Sequence, residues 1–149
     1  INDPQGRLLG HHRGLHQYTL GQRQGIKLGG FSGRPEKPWY VMGKNHRTNT
    51  LTVTQDETHL LGTWLRADGV NWLTKPQLPM RCCAKIRYRQ DDQDCLVSQA
   101  ADGRFLVRFD APQRAITPGQ HIAFYDGDRL LGGATIQTTS TFQLNDQKI

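Results

Sequence analysis

Residues 121–136 read HIAFYDGDRLLGGATI. Apolar and polar side chains alternate on both sides of Asp126-Gly127, and an Asp-Gly pair between such runs is a strong short-range signal for a β-hairpin. Just upstream, ITPGQ (116–120) puts Pro118-Gly119 in a turn that leads into the first of those strands. RFLVRFD (104–110) alternates Phe105, Val107 and Phe109 inward against Leu106, Arg108 and Asp110. CLVSQ (95–99) and RCCAKIRYRQ (81–90) read as two more strands across the acidic turn DDQD. Five or six short strands at roughly 8–12-residue spacing predict a small closed barrel.

The rest of the chain fits an all-β reading. Among 149 residues there are 16 glycines and 7 prolines, and only 36% are hydrophobic, so the cores are modest and turns are frequent. PWYVMGK (38–44) and TLTVTQ (50–55) predict a hairpin with the five-residue loop NHRTN. In TWLRADGVNWL, Trp64 and Trp72 flank an expected Asp68-Gly69 turn. Tyr18–Leu20 fits a short strand or the first turn of a helix, and Gly21, Gly25, Gly29 and Gly30 argue against a long helix there. The expected organisation is a small central β domain over 1–63, a six-stranded β-barrel over 64–137 and a loose tail over 138–149, with the boundary between about 58 and 66. The opening INDPQGRLLG, without an initiator methionine, suggests a piece of a longer protein.

The formal charge is +6 and the pI is near 9.6, which suits an acidic partner, nucleic acid before membrane surface. As a strand, RCCAKIRYRQ turns Cys82, Ala84, Ile86 and Tyr88 to one face. The other face carries Arg81, Cys83, Lys85, Arg87 and Arg89, a row of cations without an acid. Like charges in a row repel, and solvent or an anion relieves them. Arginine offers phosphate a planar bidentate fork, Tyr88 adds a ring that stacks or donates, and Arg108 and Arg114 would widen the patch. The competing reading is an edge strand guarded by charge against aggregation.

Enzyme motifs are lacking. GQRQGIKLGG is rich in glycine but has neither the Gly-Lys-Ser/Thr of a phosphate loop nor G-x-G-x-x-G, and there is no G-x-S-x-G or C-x-x-C. His12 and His16 are spaced as metal ligands on a helix would be, with His11 adjacent, but the surrounding glycines oppose the helix, and no metal is expected. Cys82, Cys83 and Cys95 form no disulfide framework and point to a reducing compartment, so a cytoplasmic protein is expected. No apolar run approaches the ~18 residues of a membrane span, and no membrane partner is expected.

Several separate motifs, YTLGQRQG with LGG, PWYV, VNWL, RCCAKIRYRQ, and then FD, PQRAITPGQ, IAFYDGD and LLGGATI, occur in the order found at the end of bacterial tRNA-specific 2-thiouridylases. The chain resembles that family, MnmA/TrmU, over about residues 10–137. Two departures are mild: Cys83 stands where the family often has threonine, and GIKLGG replaces the commoner GLGIGG.

The resemblance implies an all-β piece whose barrel is similar to those of translation factors, belonging to an enzyme that puts sulfur at C2 of the wobble uridine in lysine, glutamate and glutamine tRNAs. The parent enzyme would use ATP with magnesium, a cysteine persulfide and a sulfur-relay donor protein. The family's Ser-Gly-Gly-x-Asp-Ser loop and catalytic cysteines have no match here, so no catalytic residue and no cofactor are expected in this chain. It also implies tRNA contact by Arg87, Tyr88 and Gln120, with Gln22, Arg23, Lys85 and Arg89 as further candidates. The alternatives are a barrel that contacts protein rather than RNA, and a redox or metal module built on Cys82, Cys83 and the histidines.

Overall fold

The computed structural model describes residues 1–29 and 37–140. Gly30 and residues 141–149 of the expected loose tail lie outside that range. The chain divides into two units that meet in sequence at Leu61 and Gly62.

In the first unit, β1 (Tyr40–Asn45) and β2 (Thr50–Thr54) pair antiparallel, from Tyr40 against Thr54 to Asn45 against Thr50. This is the expected hairpin, closed by residues 46–49, with Asn45 Oδ1 accepting from the Thr48 amide at 3.0 Å. A register shift between Val41 and Gly43 buries both Val41 and Met42. Neither edge of this small sheet is left open. Asn2 bonds to Leu51 and Val53 on the β2 side, while Gly21 and Gln22 exchange bonds with Val41 on the β1 side. Ile1, Leu15, Tyr18, Ile26, Val41, Leu51 and Val53 fill the core between. Helical geometry falls just before the stretch that sequence left open, as a single 3-10 turn at Leu15–Gln17, and Tyr18 is extended.

The second unit is the expected barrel. Its strands are β3 (Leu61–Trp72), β4 (Met80–Lys85), β5 (Gln93–Gln99), β6 (Phe105–Arg114), β7 (His121–Asp126) and β8 (Arg129–Thr139). They close in the order β3-β6-β5-β4-β7-β8. Inward positions alternate along the strands, and Leu65, Ala84, Val97, Val107, Ile122, Phe124 and Ile136 meet in the interior. Each large aliphatic or aromatic side chain so buried stabilises the fold by about 1.5–3 kcal/mol.

Three expectations need correction. Asp68-Gly69 makes no turn: β3 runs through it, and residues 69 and 70 oppose Ala134 alone, a β-bulge with Gly69 at φ 60. The strand read over residues 81–90 ends at Lys85, and a turn follows. The end of β8 is not loose, because Thr138 and Thr139 pair with β3 and Ser140 Oγ accepts from the Thr63 amide at 2.8 Å.

Candidate nucleic-acid interface

After Lys85 the chain leaves the barrel wall because the next side chains serve a turn rather than a ladder. Ile86 is buried and ends the inward row. The Gln90 amide then donates back to the Arg87 carbonyl at 3.2 Å, which puts Tyr88 and Arg89 at the tip of a tight turn. A chain of glutamines holds this turn. Gln90 Oε1 accepts from the Ile86 amide at 3.1 Å, and Gln90 Nε2 donates to Gln113 Oε1 at 2.6 Å. Gln113, only 3% exposed, donates in turn to Gln93 Oε1 at 3.0 Å and the Ala111 carbonyl at 2.9 Å. Every arm of that buried amide is bonded, as a buried polar group requires.

The row of cations does not survive as a row. Arg81 is ion-paired with Asp110 on β6, and that hydrogen bond holds the Asp110 carboxyl below the usual carboxylate range. Lys85 Nζ lies 3.4 Å from Asp92 and 5.4 Å from the centre of the Tyr125 ring. Arg87 turns back, and its Nη2 donates to the carbonyls of Arg114 at 2.6 Å and Ala115 at 3.0 Å. Burial, and secondarily the charge of Arg114, lower its pKa, though a guanidinium stays cationic. Tyr88 is 95% exposed. Arg89 is exposed beside it.

The carbonyls that receive Arg87 begin the β6–β7 connection, which ends at Gln120. Ala115 takes a left-handed φ of 50. Its carbonyl also accepts from Thr117 Oγ1 at 2.9 Å. Pro118-Gly119 form the expected turn, with Gly119 at φ 89 and the Gln120 amide donating to Thr117 at 3.2 Å. The Gln120 carbonyl accepts from the Ile136 amide at 2.8 Å, so its backbone is fixed while the residue is exposed. Lys85 stands opposite Ala123 in the β4–β7 ladder. The 86–90 turn and Gln120 therefore share one end of the barrel. Lys85, Arg87, Tyr88, Arg89 and Gln120 are brought together there, whereas Arg81 and Arg108 lie on the outer wall.

Gln22 and Arg23 belong to the other unit. The Gln22 side chain is spent locally, accepting from the Thr19 amide at 2.9 Å and donating to the Gln24 carbonyl at 2.7 Å. It borders a recess of about 360 Å³ with His11, Arg13, Tyr18 and Lys27, and Arg23 is exposed nearby in sequence. Of the histidines weighed as ligands, His12 has both ring nitrogens engaged: Nδ1 accepts from the Gly14 amide and Nε2 bonds the Asn49 carbonyl. Among the described residues no three His, Cys, Asp or Glu side chains gather as a metal site. No helix among them is long and apolar enough to cross a membrane.

Two family models match the chain. One, described as a tRNA methyl transferase PRC-barrel domain, covers residues 1–55, and the other, an aminomethyltransferase beta-barrel domain, covers residues 63–136. A tRNA-specific 2-thiouridylase MnmA from Alcanivorax borkumensis is 49% identical over 144 residues, 94% of this chain and 40% of that protein. Proteins of the same title from Xanthomonas axonopodis and Xanthomonas euvesicatoria are 46% identical over 143 residues, 93% of this chain and 38% of theirs. The chain belongs to the tRNA-specific 2-thiouridylase family. It spans about 40% of the length of these 2-thiouridylase relatives.

Within this member of the 2-thiouridylase family, sequence reasoning overlooked the residues that hold the turn. Gln90, Gln113 and Ala115 gave no signal, since a glutamine in a polar stretch looks solvated until its partners, here 23 residues apart, are known.

Proposed function

We propose that this chain is the part of a tRNA-specific 2-thiouridylase that positions tRNA. The observation that carries the reading is the braced turn: an exposed tyrosine and arginine at its tip, a tethered guanidinium at its base and Gln120 on the same barrel end. Side chains of these kinds grip sugar and phosphate, stack on an unpaired base, and leave sequence to be read elsewhere. For the longer protein we assign replacement of the C2 oxygen of the wobble uridine by sulfur in lysine, glutamate and glutamine tRNAs, in the cytoplasm. ATP with magnesium would activate that oxygen, and a persulfide fed by a sulfur-relay donor protein would supply the sulfur. The residues described here provide binding and no catalytic step.

The test is a titration of the chain against a glutamate tRNA and an unrelated duplex RNA at several salt concentrations, beside Arg87→Glu and Tyr88→Ala. Salt-sensitive binding of the tRNA, weakened by both substitutions, is expected. Absence of binding at low salt overturns the reading. A protein-contacting barrel then becomes the better account, and its specific support is a recess of about 460 Å³ on the β3–β7–β8 wall, where Leu73 and Leu130 are exposed. Such a contact would survive charge reversal at Arg87.

A further inference from the structure

The register of the β4–β5 hairpin sets Cys82 directly opposite Cys95, and their sulfurs lie 3.8 Å apart. Directly opposed residues of an antiparallel pair have Cβ atoms about 4.5–5.5 Å apart, and a disulfide needs about 3.5–4.5 Å. A small side-chain rotation with slight closure of the strands spans that difference. The two thiols are unequal. Cys82 is partly exposed, whereas Cys95 is fully buried in the barrel. The hydrogen bond shared with Cys95, and secondarily the charge of Arg81, lower the Cys82 pKa. The same bond, together with burial, pushes the Cys95 thiol up. Cys83 points to the other face and donates to Asp94 Oδ1 at 3.3 Å, and the carboxylate raises its pKa. The chain thus holds one partly exposed thiol with a lowered pKa, one buried partner in contact with it and one thiol kept apart from both.

We propose that Cys82 and Cys95 are a peroxide-sensitive dithiol that closes to an intramolecular disulfide, with Cys82 as the attacking sulfur and Cys95 as the resolving one. The Cys82 thiolate displaces hydroxide from hydrogen peroxide, breaking the O–O bond and forming a sulfenic acid; the hydroxide takes a proton and leaves as water. Cys95 then gives its proton to the sulfenic oxygen as its sulfur bonds to Cys82, and a second water leaves. Two thiols lose two electrons and peroxide becomes two waters. The closed ring encloses residues 82–95, and so the turn that carries Arg87, Tyr88 and Arg89. The reaction is independent of whether that turn meets RNA.

The experiment treats the full chain with hydrogen peroxide, alkylates remaining thiols under denaturing conditions and maps tryptic peptides by mass. Cleavage puts Cys82 and Cys83 in peptide 82–85 and Cys95 in peptide 90–104. The expected product is these two peptides joined, lighter by two hydrogens, separated again by a thiol reductant. It persists in Cys83→Ser, where only Cys82 can supply the link, and disappears in Cys82→Ser. A link between Cys82 and Cys83, dimers through Cys83, or stepwise oxygen addition to Cys82 without a link overturns the proposal. Cys83→Ser alters only an outward thiol, so the decisive map does not depend on a substitution in the core.

Discussion

At positions 87 and 88 a tethered guanidinium stands beside an exposed phenol ring, and truncation separates what each contributes. Arg87→Ala removes two hydrogen bonds to carbonyls, one of them on the left-handed Ala115, and should lower stability by about 1–2 kcal/mol in urea unfolding. Tyr88→Ala should leave stability within about 0.5 kcal/mol. If the ring stacks on a base as proposed, the same change weakens tRNA binding by about tenfold, read by titration. In the first unit, burial would raise the Asp3 pKa, but bonds from Arg7 and the Gln5 amide outweigh it and leave the value lowered. A lowered folded-state pKa stabilises above the ordinary aspartate value and loses that contribution as pH falls through the folded-state value. Urea melts should therefore show Asp3→Asn less stable than wild type at neutral pH, with the gap narrowing only in acid below the ordinary aspartate range. Cation identities were legible in the sequence, but their partners were not: Asp110 lies 29 residues from Arg81, and only the barrel closes that gap.

The β4–β5 hairpin shows how much an element depends on groups outside it. Its turn is braced by Gln113 on β6, so Gln113→Ala leaves Gln90 and Gln93 without their shared partner. That substitution should cost about 1–3 kcal/mol and weaken tRNA binding through a displaced turn, although Gln113 itself is buried. At the β3–β8 seam, a Cβ on Gly132 would lie 2.5 Å from the Asn71 carbonyl oxygen, whereas one on Gly133 would meet the Ile122 carbonyl at 3.3 Å. Gly132→Ala should accordingly destabilise by about 1–3 kcal/mol in thermal melts, and Gly133→Ala by clearly less. Alternation and Asp-Gly or Pro-Gly pairs made the hairpins readable because those signals are local. Asp68-Gly69 misled for the same reason: the pair suits a turn or a bulge equally, and only the opposing strand decides. The strand over residues 81–90 was read too long because Ile86 and Tyr88 keep the alternation after the ladder has ended.

For the whole molecule, the excess of +6 sets a field as well as a set of contacts. Binding to tRNA should fall with salt, and Arg89→Ala should reduce the slope of log affinity against log salt by about one unit without changing the fold. The all-β class and the barrel were legible because short alternating runs follow one another with turn pairs between them. The bracing of the candidate interface was not, since it rests on side chains that meet only after closure. That closure has a consequence for the order of assembly. β3 is made before the other barrel strands, yet its neighbours are β6 and β8, and Ser140 bonds to Thr63 across 77 residues. On a ribosome, β4 and β5 can zip together while β3 still waits, its Leu65 and Ala67 uncovered. β8, the last of the barrel strands in chain order, is the clasp, and a chain released short of it would carry an open, adhesive sheet in place of a barrel.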